Sequence, residues 1–176
     1  MKMLKKLLAV VLTGAMALTL FTACGSNAVR DKDIADALNN IVKLNDSEVT
    51  FTPRAKEREM AQKLAALLES HSEDDSNSAE LSAKIQGILG IDQGGVNENN
   101  FVWVQNALTD KLGAEGQAFQ VMESLTDKGG AYNFSSLGSK EPADTRYMGT
   151  ALCKIPDQKD NLVTVRVIVV TTKAEG

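Results

Sequence analysis

Apolar positions near residue 30 recur at helical spacing. Between Asp31 and Lys43 they stand at i, i+4, i+7 and i+8, as Ile34, Leu38, Ile41 and Val42. This spacing places them on one face of an α-helix. Asp31 and Asp33 are both suited to cap the N-terminus of the predicted helix.

A second helix is predicted from Thr52 to about Ser70, after a short extended piece at Val49 and Phe51. Thr52 followed by Pro53 fits an N-cap with proline in the first turn. The predicted buried stripe consists of Met60, Ala61, Leu64, Ala65 and Leu68. The charged residues of this helix are expected to lie mostly in solvent, and they are Arg54, Lys56, Glu57, Arg58 and Lys63.

Two further helices follow the same spacing rule. The first covers Ala79 to Leu89 and is expected to end at Gly90, a residue typical of helix C-termini. The second covers Ala114 to Leu125. Its predicted inward-facing residues are Ala118, Phe119, Met122 and Leu125.

Strand patterns dominate the last third of the chain. Tyr147–Lys154 and Leu162–Thr172 are two predicted strands, and Asn100–Val104 is a third, shorter candidate. The final strand is β-branched on both faces from Val167 to Val170, which is typical of a central strand covered on both sides. The pattern therefore predicts an α+β fold, with several helices around a small, mostly antiparallel sheet.

The N-terminus has the pattern of a secretory signal. Three lysines, Lys2, Lys5 and Lys6, precede an apolar run from Leu7 to Phe21. The run is shorter than the roughly 20 residues of a membrane-spanning helix. A basic start, a short apolar middle and small residues at the end predict export and removal of residues 1–23.

Leu20-Phe21-Thr22-Ala23-Cys24 resembles the bacterial lipobox. In lipoproteins with this motif the cysteine is diacylated through its sulfur and becomes the first mature residue. Phe21 departs from the usual aliphatic residue, and ordinary cleavage near Ala23 is the alternative. Two acyl chains give stable anchoring where one is marginal. The expected location is the outer face of the cell membrane, with the bilayer as a partner through Cys24.

These observations divide the chain into a signal peptide (1–23), a short tether (24–30) and one globular domain (31–176). The six residues from Gly25 to Arg30 reach at most ~20 Å when extended. The full chain has 19 basic and 23 acidic residues. Residues 1–23 contain three of the lysines and no acidic residue, so their removal leaves a formal charge of −7. This balance argues against nucleic acid as a partner.

The chain has two cysteines. If Cys24 is acylated, no internal disulfide is possible and Cys153 is a single thiol. Cys153 lies beside a predicted strand, and a buried structural thiol is favoured over a reactive one.

No catalytic or nucleotide-binding motif is present. G-x-G-x-x-G, a P-loop, G-x-S-x-G and H-E-x-x-H do not occur. The acidic run Glu73–Asn77 lacks the turn glycine and terminal glutamate of an EF-hand, so a solvated loop is favoured over a calcium site. His71 is the single histidine and is expected at the surface of this loop.

The order of several weak motifs resembles the CAP superfamily, whose SCP-like domains occur in many exported bacterial proteins. The first half supplies four matches in order: "ALNNIVKLND" from Ala37, "VTFTP" from Val49, "MAQKLA" from Met60, and His71 after the second helix. The second half continues with "KIQGILGI" from Lys84, Asn97-Glu98-Asn99, Asp127–Phe134, Tyr147–Ala151 and Val163–Val170.

The resemblance implies a three-layer α-β-α sandwich around the sheet. It also implies a cleft in which two histidines and two acidic residues converge and can hold a divalent metal. His71 and Glu98 match two of those positions, whereas the second histidine position is Gly130. The full set is therefore incomplete, and the resemblance is to a degenerate member.

The expected function is a non-catalytic, envelope-anchored domain that binds a small ligand, a peptide or an envelope protein. One alternative is a hydrolase of wall or extracellular polymers that uses His71 and Glu98 as acid and base. The other alternative is a purely structural lipoprotein. No cofactor is expected beyond a divalent metal at His71 and Glu98.

Overall fold

The computed structural model describes residues 29–45, 47–70, 78–90, 100–108, 112–126, 141–156 and 161–175. Within these ranges there are four helices, α1 (Asp31–Leu44), α2 (Ala55–Ser70), α3 (Ser78–Leu89) and α4 (Ala114–Thr126). The strands are β1 (Thr50–Pro53), β2 (Asn100–Leu108), β3 (Glu141–Pro142), β4 (Thr145–Pro156) and β5 (Leu162–Glu175).

The strands form one mixed sheet in the order β1-β4-β5-β2, and β3 pairs with the end of β5. β1 runs parallel to β4, and the other pairings are antiparallel. The long strands are in register as Tyr147 opposite Thr171 and Trp103 opposite Val170. β5 therefore lies inside the sheet, as its apolar run on both faces predicted.

Side chains of β5 alternate between two hydrophobic cores. Ile168 and Val170 belong to a core with α1 and α4, together with Phe51 and Met148. Val165, Val167 and Val169 belong to a second core with α2 and α3, and Cys153 lies in it. Because successive strand residues point to opposite faces, one strand serves both cores. This arrangement confirms the predicted α+β, three-layer α-β-α sandwich.

The start of α2 differs from the prediction. Pro53 is the last residue of β1, and α2 begins at Ala55. The backbone N–H of Arg54 donates to the carbonyl of Met148 at 2.8 Å, so pairing with β4 continues past the proline. The carbonyl of Arg54 then accepts from the N–H of Arg58 at 3.2 Å and opens the helix. The parallel strand pairing therefore displaces Thr52 from the predicted N-cap.

At the start of α1, the N-cap is Arg30 and the capping acid is Asp33. Oδ2 of Asp33 accepts from the backbone N–H of Arg30 at 2.8 Å. Hydrogen bonds from the Arg30 side chain and backbone lower the pKa of Asp33 to about 2. Asp31, the other predicted cap, is instead buried and takes part in a polar network described below.

The inward face of α4 also differs from the prediction at one residue. Ala118 and Val121 are fully buried, and Met122 and Leu125 pack against the same core, but Phe119 is 63% exposed. Phe119 lies about 100° around the helix from Ala118, which turns it away from the sheet. By contrast, α3 ends as predicted, because Gly90 adopts a positive φ of 67°.

None of the helices in the described ranges combines the length and the apolar character that a bilayer crossing requires.

Candidate functional site

The residues predicted to have functional roles lie outside the described ranges. This applies to the lipidation residue Cys24, to the cleft candidates His71 and Glu98, and to Gly130 at the second histidine position. The described residues beside the two cleft candidates are Ser70, the last residue of α2, and Asn100, the first residue of β2.

Those two flanking elements meet the sheet at opposite ends. In the last turn of α2, Oε1 of Glu69 accepts from the backbone N–H of Lys154 at 2.8 Å. Lys154 lies opposite Thr164 of β5, whereas Asn100 lies opposite Lys173. Thr164 and Lys173 are nine residues apart on one strand, about 30 Å at ~3.3 Å per residue. The end of α2 and the start of β2 therefore meet the sheet at levels about 30 Å apart.

A buried carboxylate stands at the start of α2. Glu57 is fully buried, although the sequence predicted a solvated residue. Its carboxylate accepts from Nε of Arg54 at 2.6 Å and also from Nη2 of the same guanidinium. The hydroxyl of Thr171 on β5 donates to Oε1 of Glu57 at 2.6 Å. The guanidinium of Arg54 also stacks 3.7 Å from the ring centroid of Tyr147.

The Glu57 cluster keeps the carboxylate ionised. Burial opposes the charge of Glu57, but the hydrogen bonds from Arg54 and Thr171 outweigh it and lower the pKa of the carboxyl. A carboxylate that already accepts from a guanidinium and a hydroxyl is a poor proton donor and a poor base. The cluster therefore joins α2 to the sheet. The prediction of a solvated Glu57 was wrong because the helix begins directly over the strands.

A second polar network crosses the other core. Arg166 on β5 is 6% exposed, and its Nε donates to Oε1 of Gln117 on α4 at 2.9 Å. Nη1 of Arg166 donates to the hydroxyl of Thr150 at 2.9 Å, and that hydroxyl donates to Oδ1 of Asp31 at 2.5 Å. Thr150 thus links a buried cation to a buried anion, which compensates part of the cost of burying each charge.

The network continues to its two ends. Nε2 of Gln117 donates to the carbonyl of Leu112 at 2.8 Å, just before α4 begins. Nε of Arg58 donates to Oδ2 of Asp31 at 2.7 Å, and the Arg58 side chain is half exposed. The network therefore ties α1, α4 and the start of α2 to the centre of the sheet.

Cys153 is a buried free thiol in the second core. Burial, with a smaller effect of the Glu69 charge, raises its pKa to about 11. Little thiolate is then present at neutral pH, so the side chain is an inert part of the core.

Within the described ranges, no three histidine, cysteine, aspartate or glutamate residues are grouped so that they could hold a metal ion. The buried carboxylates of these ranges are those of Glu57 and Asp31, which lie in separate clusters, and each accepts hydrogen bonds from a guanidinium and a hydroxyl of the chain itself.

The sequence carried a weak signal of only one of the two polar clusters. Arg166 interrupts an otherwise apolar run of β5, and a charge inside a central strand requires a buried partner. Glu57 carried no such signal, because its spacing on α2 resembles that of its exposed neighbours. Only the position of the helix start over Thr171 decided its burial.

No family model matches the sequence, and neither a curated protein nor a solved structure is significantly similar to it.

Proposed function

We propose that the chain is an exported lipoprotein, anchored to the outer face of the cell membrane by acylated Cys24. The observation that carries the proposal is the segment before that cysteine. Lys2, Lys5 and Lys6 are followed by a short apolar run that ends in Thr22-Ala23-Cys24-Gly25-Ser26. A basic start, a run too short to span a bilayer and small residues around a cysteine form the signal of a bacterial lipoprotein.

The domain that follows is proposed to be a degenerate SCP-like domain of the CAP superfamily. The element order α1-β1-α2-α3-β2-α4 followed by C-terminal strands supports this, as does the placement of helices on both faces of the sheet. The family cleft needs two histidines, and the chain has one. Gly130 at the second position cannot bind a metal or move a proton.

Binding of a small ligand, a peptide or an envelope protein is the role that these residues support best. The charged residues buried in the described part, Glu57, Asp31 and Arg166, are engaged in bonds between the layers. Those bonds provide a rigid scaffold, and a rigid scaffold favours binding because less conformational entropy is lost on association.

The anchor is tested by metabolic labelling with an alkyne fatty acid and by detergent phase partitioning. We expect the unmodified chain to carry the label and to enter the detergent phase, because two acyl chains dominate its partitioning. Cys24→Ala should lose both properties.

Cys153→Ser is the matched control, because it removes the only other thiol of the chain. It should stay labelled. A labelled Cys24→Ala chain, or an unlabelled wild type, would contradict the proposed anchor.

A further inference from the structure

The two edges of the sheet differ in how they are protected. Proteins protect edge strands by short length, proline, charge, bulges or a covering element, because an edge offers its hydrogen-bonding groups to another chain. β1, at one edge, has four residues and ends in Pro53. Its outer side is covered where the Asn39 amide bonds the N–H and the carbonyl of Phe51. Among the described residues, β5 is the strand that pairs with β2, which makes β2 the other edge.

The nine residues of β2 supply no such protection themselves. Their sequence, NFVWVQNAL, contains no charged residue, no proline and no glycine. The register with β5 is unbroken from Asn100 opposite Lys173 to Leu108 opposite Val165, so β2 has no bulge. In an antiparallel ladder, alternate residues direct their N–H and carbonyl groups away from the partner strand. The outer side of β2 is therefore a long row of backbone donors and acceptors on an uncharged strand.

The charge of the chain favours β2 as the contact between two copies. Without residues 1–23 the chain has a formal charge of −7, so two copies repel each other in general. An uncharged strand lets two acidic copies meet without placing like charges opposite each other. A basic partner would be attracted to acidic side chains, which β2 lacks. The composition of the strand therefore selects a second copy over a basic partner.

The direction of the pairing follows from the position of the tether. Val29, near the end of the tether, packs against the core of α1 and α4, so the proposed anchor leaves the domain on that face of the sheet. Two copies related by a two-fold axis join edge strands antiparallel only if the axis is perpendicular to the sheet. Such an axis keeps the α1 faces of both copies on one side, where both anchors can enter one bilayer. Parallel pairing would place the two anchors on opposite sides.

We infer that the outer edge of β2 pairs antiparallel with β2 of a second copy, so that one continuous sheet crosses a symmetric dimer. The direction of the pairing rests on the proposed anchor, whereas the edge and its composition do not. Anchoring also confines the copies to one bilayer in a common orientation, which raises their effective concentration for this contact. The proposed binding is then bivalent, because each dimer carries two domains.

The pairing is tested by a cysteine scan of β2 in the full lipidated chain, reconstituted at a low protein-to-lipid ratio into phosphatidylethanolamine–phosphatidylglycerol vesicles. Each variant replaces one residue between Asn100 and Leu108, with Val104→Cys at the centre. Disulfide formation after mild oxidation is measured by non-reducing electrophoresis. Acylated Cys24 has no thiol, and Cys153 is buried with a pKa of about 11, so the unmodified chain gives the background. Circular dichroism selects the variants that are folded.

We expect the crosslinked fraction to rise about fivefold or more above the background at one position of β2, where the two Cα atoms come within the ~7 Å that a disulfide needs. It should fall on both sides of that position, because the two copies of a residue separate by about 7 Å for each step away from the two-fold axis. Thr52→Cys is the matched control, because Thr52 is exposed on the other edge strand, and it should stay at the background.

Flotation of the same vesicles reports the anchor separately. A chain that floats but shows no peak along β2 overturns the pairing and leaves the anchor standing. Thr52→Cys crosslinking as strong as the peak would indicate random collision and overturn the pairing as well. Equal crosslinking at every position of β2 would indicate parallel strands and overturn the antiparallel dimer. A peak in a chain that does not float would support the pairing and overturn the anchor.

Discussion

Single polar residues determine how the layers of this protein are joined. Glu57, Arg166 and Asp31 are charged groups at buried positions, and each is bonded to a partner on another element or at the helix start. Removing one partner of such a pair is costly, because the other charge then remains buried without compensation.

Replacement of Glu57 by Gln should lower the free energy of unfolding by about 2 kcal/mol at neutral pH, since a charge-assisted bond is lost in the core. The folded pKa of Glu57 is lowered from 4.5, so its ionised form stabilises the fold above that value. The stabilisation is lost as the pH falls through the lower folded pKa. Urea unfolding between pH 7 and pH 3 measures this difference.

Glu59→Gln is the control, because Glu59 is exposed on the same helix. Its free energy of unfolding should match that of the wild type from pH 7 to pH 3. A Glu57→Gln chain whose deficit does not shrink in acid would show that the carboxylate charge is not what stabilises this position.

At the scale of elements, close backbone contact fixes the position of α2 on the sheet. A Cβ atom at Gly149 of β4 would lie 2.0 Å from the backbone nitrogen of Arg58. The first turn of α2 can therefore cross β4 only over a glycine. At the neighbouring edge, the Asn39 amide bonds both the N–H and the carbonyl of Phe51, at 2.7 and 3.0 Å, which satisfies the outer side of β1.

We expect Gly149→Ala to destabilise the protein by about 3 kcal/mol, because the new methyl group meets backbone atoms that cannot rotate away. Gly87→Ala is the matched control. Gly87 is exposed in α3, and a Cβ atom added there would meet nothing within 4 Å. Alanine at this position should therefore raise the free energy of unfolding by at most about 1 kcal/mol through helix propensity. Thermal and urea unfolding of the two variants give the comparison. Equal stability of the two chains would contradict the close crossing of α2 over β4.

At the scale of the whole molecule, one central strand supports two cores, and the helices on each face are joined to it by separate polar clusters. The α1 and α4 face holds the Arg166 network, and the α2 face holds the Glu57 cluster.

The proposed binding role predicts that the purified chain releases no more soluble fragments from cell-wall polymer than buffer does. His71→Ala and Glu98→Ala should likewise release no more fragments than buffer does. A change in ligand affinity in either variant would place that residue in the binding cleft. Fragment release by the wild type that both variants abolish would favour the hydrolase instead.

Much of the fold was predictable from the sequence, because periodicity reports which face of an element is buried. The helices α1, α3 and α4 agree with their predicted positions to within one residue at each end, and β5 is central as its apolar run indicated. The proposed export signal and the single histidine were also visible in the sequence alone. His71 and Glu98 lie outside the described residues, so their cleft stays a prediction.

Only the tertiary structure decided the contacts between elements that are distant in the chain. The pairing of β1 with β4 moved the start of α2 from Thr52 to Ala55, and that start placed Glu57 against Thr171. The packing of α4 on α1 left Phe119 in solvent. Local spacing predicts which residues share a face of one element, but the partner that covers the face depends on long-range packing, which no short stretch of sequence contains.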